Sequence, residues 1–174
     1  DGGGGGADQL VVDNSACATA QADGVLTRDG VTGLGMAMGL EYRDFEMIDI
    51  RLGRGGDTFV LRSTVTGAGT TTTLECGAGD DTVTIASAGA TTIVNGQGGA
   101  DTLRLEGADP GAAITLNGDE APDSAHPKGA AAGDTITVRA SAAATLNINT
   151  GAGDDLVMFG RTVAQTGAGC TEGI

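Results

Sequence analysis

Thr71–Ile85 reads TTTLECGAGDDTVTI. Thr72 and Leu74 alternate with Thr71, Thr73 and Glu75, and Val83 and Ile85 alternate with Thr82 and Thr84. Period-2 alternation with one apolar face is the mark of a half-buried strand. Between the two strands lies CGAGDD, whose glycines accept positive φ and let the backbone reverse. The same arrangement returns in Ile48–Leu61 (IDIRLGRGGDTFVL), Thr91–Leu105 (TTIVNGQGGADTLRL) and Leu146–Phe159 (LNINTGAGDDLVMF).

Six aspartates carry the pattern: Asp8, Asp57, Asp81, Asp101, Asp134 and Asp155. Two residues after each stands an apolar side chain (Leu10, Phe59, Val83, Leu103, Ile136, Val157). Four after stands another (Val12, Leu61, Ile85, Leu105, Val138, Phe159). Agreement at every position marks an internal repeat. The aspartates lie 49, 24, 20, 33 and 21 residues apart. A spacing of 20–24 residues accommodates two strands and two turns, which is one coil of a solenoid. The expected fold is all-β: a single domain over 1–174, a right-handed parallel β-helix or β-roll of about six coils. Its core is a set of aliphatic ladders. The two long gaps predict insertions at about 13–46, an added hairpin or irregular coil, and at 117–133, a surface loop with prolines. No amphipathic helix or polar strand is visible to cap either end, so the chain is expected to be one module of a longer polypeptide or filament.

Composition fits a narrow core. There are 32 glycines, three phenylalanines, one tyrosine and no tryptophan. The formal net charge of −14 repels nucleic acid and anionic membrane and attracts divalent cations. No apolar run is long enough to span a bilayer, so no membrane insertion is expected. Cys17, Cys76 and Cys170 have no metal-ligand spacing. The one histidine, His126, stands beside Pro127 in the second insertion, and no catalytic constellation assembles around it. The chain reads as non-enzymatic.

Stacked turns place the aspartates in a column. Carboxylates about 5 Å apart repel by roughly 1–3 kcal/mol as the effective dielectric falls from 80 to 20. Something must neutralise them, and calcium is the hard, oxygen-seeking candidate. The expected ligands are Asp57, Asp81, Asp101, Asp134 and Asp155, with Asp80 and Asp154 adding charge to the same edge. The alternative is that each aspartate accepts backbone N–H bonds within its own turn.

GRGGDTFVL, GAGDDTVTI, GQGGADTLRL and GAGDDLVMF resemble the hemolysin-type (RTX-like) calcium-binding repeats. The likeness covers the turns and their flanking strands. The motif recurs once per coil, so the resemblance implies calcium along one edge. The longer stretch GLGMAMGLEYRDFEMIDIRLGRGGDTFVL is similar to the tandem β-solenoid modules of giant bacterial surface proteins. These resemblances imply an extracellular or cell-surface structural module: an adhesin stalk, surface-layer component or filament subunit. Its partners would be copies of itself or neighbouring modules, end to end. The alternative is a calcium-dependent polysaccharide-binding module of an extracellular carbohydrate-active protein.

Overall fold

The computed structural model describes residues 2–3, 5–119, 132–139 and 145–160. Among the described residues, the fold is all-β, with fourteen strands and no helix. The strands are β1 (Gln9–Asp13), β2 (Gly24–Thr27), β3 (Gly30–Gly33), β4 (Met36–Glu41), β5 (Met47–Arg51), β6 (Thr58–Leu61) and β7 (Thr71–Glu75). They continue with β8 (Thr82–Ile85), β9 (Thr91–Asn95), β10 (Thr102–Leu105), β11 (Ala113–Asn117), β12 (Thr135–Val138), β13 (Thr145–Asn149) and β14 (Leu156–Phe159).

They form two sheets. Sheet A runs β1-β5-β7-β9-β11-β13 and sheet B runs β14-β12-β10-β8-β6-β2-β3-β4. From β5 onward the chain alternates between the sheets, one strand in each per repeat. All pairs of sheet A are parallel, and so are those of sheet B from β2 to β14. Parallel strands within one sheet need a long crossover; here the crossover is the strand in the other sheet with its two turns.

Register is kept without slippage across sheet A, so inward side chains line up. One column is Leu10, Ile48, Thr72, Thr92, Ile114 and Leu146; the next is Val12, Ile50, Leu74, Val94, Leu116 and Ile148. Sheet B contributes Phe59, Val83, Leu103, Ile136 and Val157, then Leu26, Leu61, Ile85, Leu105, Val138 and Phe159. Most of these are fully buried in one core shared by the sheets. The buried threonine Thr92 satisfies its hydroxyl on the Gly89 carbonyl at 3.0 Å and beside Thr64 at 3.2 Å.

Three expectations need correction. Asp8 precedes β1, and β1 lies in sheet A beside β5, whereas the other five aspartates precede strands of sheet B. Asp8 satisfies the same spacing because strands of both sheets share one alternation. Its N–H instead meets Glu46 Oε2 at 2.9 Å. The place above Asp57 belongs to Gln21: the Thr58 N–H bonds the Gln21 carbonyl, as the Thr82 N–H bonds that of Asp57. The first insertion is also shorter than 13–46. β2 is a regular strand parallel to β6, and only β3 and β4 are added, as an antiparallel meander. Finally, Asn117 ends β11, and Gly118 and Asp119 are buried, so they belong to the repeat and not to the loop. Residues 120–131 of that loop, with His126, and Cys170 lie outside the described residues.

The added strands also close one end of the core, where no cap was expected. Val31, Leu34 and Tyr42 are buried in the common core. The Tyr42 hydroxyl donates to the Thr27 carbonyl at 2.5 Å, and its ring meets Phe45 edge-on at 6.3 Å.

Gly24 occupies the column position above Phe59. A Cβ there would sit 2.3 Å from Phe59 Cδ2. The fully buried ring cannot retreat, so it needs the missing side chain above it. Gly24→Val should destabilise the fold by about 1–3 kcal/mol through overpacking. Pairing it with Phe59→Val should recover part of that loss in a denaturant-melt double-mutant cycle. Strict additivity would refute the contact.

Candidate functional site: the aspartate column

Asp57, Asp81, Asp101 and Asp134 are each no more than 2% exposed. Their carboxyls turn inward, beneath the turn of the preceding repeat. Each Oδ1 accepts a backbone N–H from the repeat before it. Asp57 N–H reaches Asp81 Oδ1 at 2.6 Å and Asp81 N–H reaches Asp101 Oδ1 at 2.8 Å. Asp101 N–H reaches Asp134 at 2.8 Å, and Asp134 N–H reaches Asp155 at 2.9 Å. At the top, the Gln21 N–H donates to Asp57 Oδ1 at 2.7 Å. The column is therefore a chain of caps that ties each repeat to the next.

The second oxygens differ. Asp57 Oδ2 accepts the Gly53 N–H at 3.1 Å. Oδ2 of Asp81, Asp101 and Asp134 is buried and has no hydrogen-bond partner. Two of these oxygens lie against glycine backbone: a Cβ on Gly96 would come within 2.3 Å of Asp101 Oδ2, and one on Gly118 within 2.0 Å of Asp134 Oδ2. A buried, unsatisfied acceptor costs about 1–3 kcal/mol, more if charged.

The chemistry follows from that burial. Desolvation pushes Asp81 up to about 8, against the lowering effect of its bond to Asp57, and Asp101, Asp57 and Asp80 push it further. Asp101 is raised to about 7 by desolvation, with Asp134, Asp119 and Asp80 adding repulsion. Asp134 is raised to about 6, again chiefly by desolvation and then by Asp119 and Asp155. Burial, with Asp81 the largest charge contribution, likewise pushes the enclosed Cys76 thiol well up. Cys76 and Cys17 are free thiols.

The other expected ligands sit on the rim. Asp155 is half-buried, while Asp80 and Asp154 are exposed. Asp80 Oδ1 accepts the Ala100 N–H at 2.9 Å, a second cap between repeats. Asp119, not anticipated from the sequence, is buried and accepts the Ala152 N–H at 3.0 Å through Oδ2. A further ladder runs beside the column at the ends of sheet A. Asn117 Nδ2 donates to Asn95 Oδ1 at 2.6 Å, and Asn95 Nδ2 donates to Glu75 Oε1 at 2.9 Å. Gln97 Nε2 reaches the other Glu75 oxygen at 2.5 Å. Its signal was present in the sequence: Glu75, Asn95, Asn117 and Asn149 each follow the second inward-facing residue of a sheet A strand (Leu74, Val94, Leu116 and Ile148).

Calcium takes six to eight oxygen ligands. The column supplies hard oxygens, three of them unsatisfied. Among the described residues, no three His, Cys, Asp or Glu side chains converge on one point. The donor chemistry fits calcium, provided that turn carbonyls complete the set. No family model, curated protein or solved structure matches the chain. Among the described residues, no helix is long and apolar enough to cross a membrane.

Proposed function

We propose that this chain is a right-handed parallel β-solenoid serving as a structural module of a secreted or cell-surface protein, joined end to end to neighbouring modules or further copies. The observation that carries the reading is the unbroken register of side chains from β5 to β13 and from β6 to β14. Each repeat contacts only its neighbours, so stability accumulates along one axis, as a stalk or filament subunit requires. The acidic surface keeps such a rod soluble and away from nucleic acid.

In this reading calcium neutralises the column. Asp81, Asp101 and Asp134 would hold it through their unsatisfied oxygens, with Asp57 and Asp155 continuing the line and Asp80 and Asp154 adding charge at the rim. Bound calcium supplies positive charge where buried carboxylates would otherwise repel. A far-UV circular dichroism melt with EDTA, and then with millimolar calcium, tests this. The expected result is a higher melting temperature with calcium. Identical melts would remove calcium and leave the backbone caps as the column's whole role.

A further inference from the structure

Among the described residues, seven large apolar side chains are exposed: Val11, Met38, Leu40, Leu156, Val157, Met158 and Phe159. All seven lie on strands at sheet edges. Met38 and Leu40 are on β4, Leu156 to Phe159 make up the whole of β14, and Val11 is on β1. Among the described strands, β4 and β14 are the two edges of the same sheet. Elsewhere the two sheets face solvent mostly with threonine, other polar groups and arginine. An exposed apolar edge presents unpaired N–H and C=O groups beside sticky side chains, which is a template for pairing with another chain.

The two edges also run in the same direction. β3 is antiparallel to β2 and β4 is antiparallel to β3, so β4 is parallel to β2. The remaining strands of sheet B, through β14, are parallel to β2 as well. A second copy displaced along the stacking axis thus brings its β4 against β14 with the polarity used by the neighbours β12 and β14.

We infer that β14 of one copy pairs with β4 of a second copy, extending sheet B head to tail through Leu156, Phe159, Met38 and Leu40. This rests on the scaffold reading above and names its partner. The contact is heterologous, so it propagates without closing, and it continues sheet B alone. Each copy carries a net charge of −14, so the copies repel. Association should therefore strengthen as salt is raised and screening shortens to about 10 Å or less.

Sedimentation velocity on the whole chain, over a concentration series at low and high salt, tests this. Met38→Lys blocks the β4 edge and Phe159→Lys blocks the β14 edge. Each lysine reduces the magnitude of the net charge of −14, so any loss of association is not added repulsion. Met38 is 96% exposed and Phe159 73% exposed, so both variants should fold, which circular dichroism checks. Leu40→Lys and Met158→Lys form a second pair. The native chain should form species that grow with concentration and salt. Each variant alone should be monomeric, and an equimolar mixture should stop at dimers, since each variant keeps the edge the other lacks. The inference is overturned if the native chain stays monomeric, if Met38→Lys still dimerises alone (edge β14 on itself), or if the mixture remains monomeric. A monomer that calcium still stabilises would sink the pairing and leave the scaffold reading intact.

Discussion

With calcium chelated, the protein should lose thermal stability as pH rises from about 5 to about 8, the reverse of the usual acid lability of carboxylate-rich proteins. Burial raises Asp81 to about 8, Asp101 to about 7 and Asp134 to about 6. In the unfolded chain they titrate near 3.9. Through this window the folded state binds more protons than the unfolded state, so unfolding free energy falls as pH rises. Their contribution is fully present below about pH 4, fades as pH passes each folded value, and is gone above about 8. A group that holds its proton only in the folded state changes stability by about 1.4 kcal/mol per pH unit. Between pH 5 and 8 the losses from Asp134, Asp101 and Asp81 come to roughly 1, 3 and 4 kcal/mol, so at about 2–4 °C per kcal/mol for a chain this long the melting temperature should fall by roughly 20 °C.

The groups facing the column give this slope no relief. Asp57, Asp80, Asp119, Asp155 and Glu75 are acidic, and Cys76 is a buried thiol whose ionisation would add negative charge. Asp81→Asn separates the effects. Its side-chain oxygen can still accept the Asp57 N–H while the buried charge is removed. The variant should therefore be near neutral at about pH 5 and more stable than the parent at about pH 8. Asp81→Ala should instead lose stability at both, because the Asp57 N–H is left unmade, at about 1–3 kcal/mol. Calcium should flatten the parent's slope by replacing the protons. A melting temperature that rises from pH 5 to 8 in EDTA would show that these carboxylates stay charged in the fold.

The columns were legible in the sequence because alternation, glycine turn and aspartate recur together, and each constrains the same backbone. Leu74 and Val94, or Val83 and Leu103, need no tertiary information to be matched. What escaped was whatever two different environments satisfy alike. The spacing around Asp8 suits a strand of either sheet, and only its pairing with β5 decides. β2 was absorbed into an insertion because Gln21 replaces the aspartate and Gly24 replaces the apolar residue, the latter being the room that Phe59 takes. The closing of the core by Val31, Leu34 and Tyr42 depends on how β3 and β4 fold back, which no local period encodes. At the site, the aspartates were correctly placed in one column, save Asp8. Their inward orientation, with one oxygen capping the repeat above, was foreseen only in part, because a cap within the turn and a cap between turns use the same residue.

Gly99→Ala should be among the most damaging single substitutions, far beyond an ordinary loss of glycine. Gly99 has φ +137°, and a Cβ there would lie 2.0 Å from the Gly79 carbonyl oxygen and 2.5 Å from its carbon. Neither atom is the end of a flexible side chain. Both belong to the turn above, where Gly79 N–H donates to the Gly98 carbonyl at 2.7 Å and Gly98 N–H to that of Gly77 at 3.0 Å. The strained φ alone costs on the order of 1–3 kcal/mol. Relieving the overlap means parting two turns and loosening those bonds, so about 4 kcal/mol or more is expected in a denaturant melt. Gly35→Ala is the control, since Gly35 has φ +75° and open space around its missing side chain. It should cost only about 1 kcal/mol, the left-handed penalty without a clash. If both variants lose the same amount, turn stacking is not what holds the repeats together, and the apolar columns must carry the axis alone. If Gly99→Ala loses several times more, the glycine two residues before Asp57, Asp81, Asp101 and Asp155 sets how closely those repeats can stack. That distance also brings each aspartate's oxygen within reach of the N–H above, so one substitution should weaken the turn contact and the aspartate cap together.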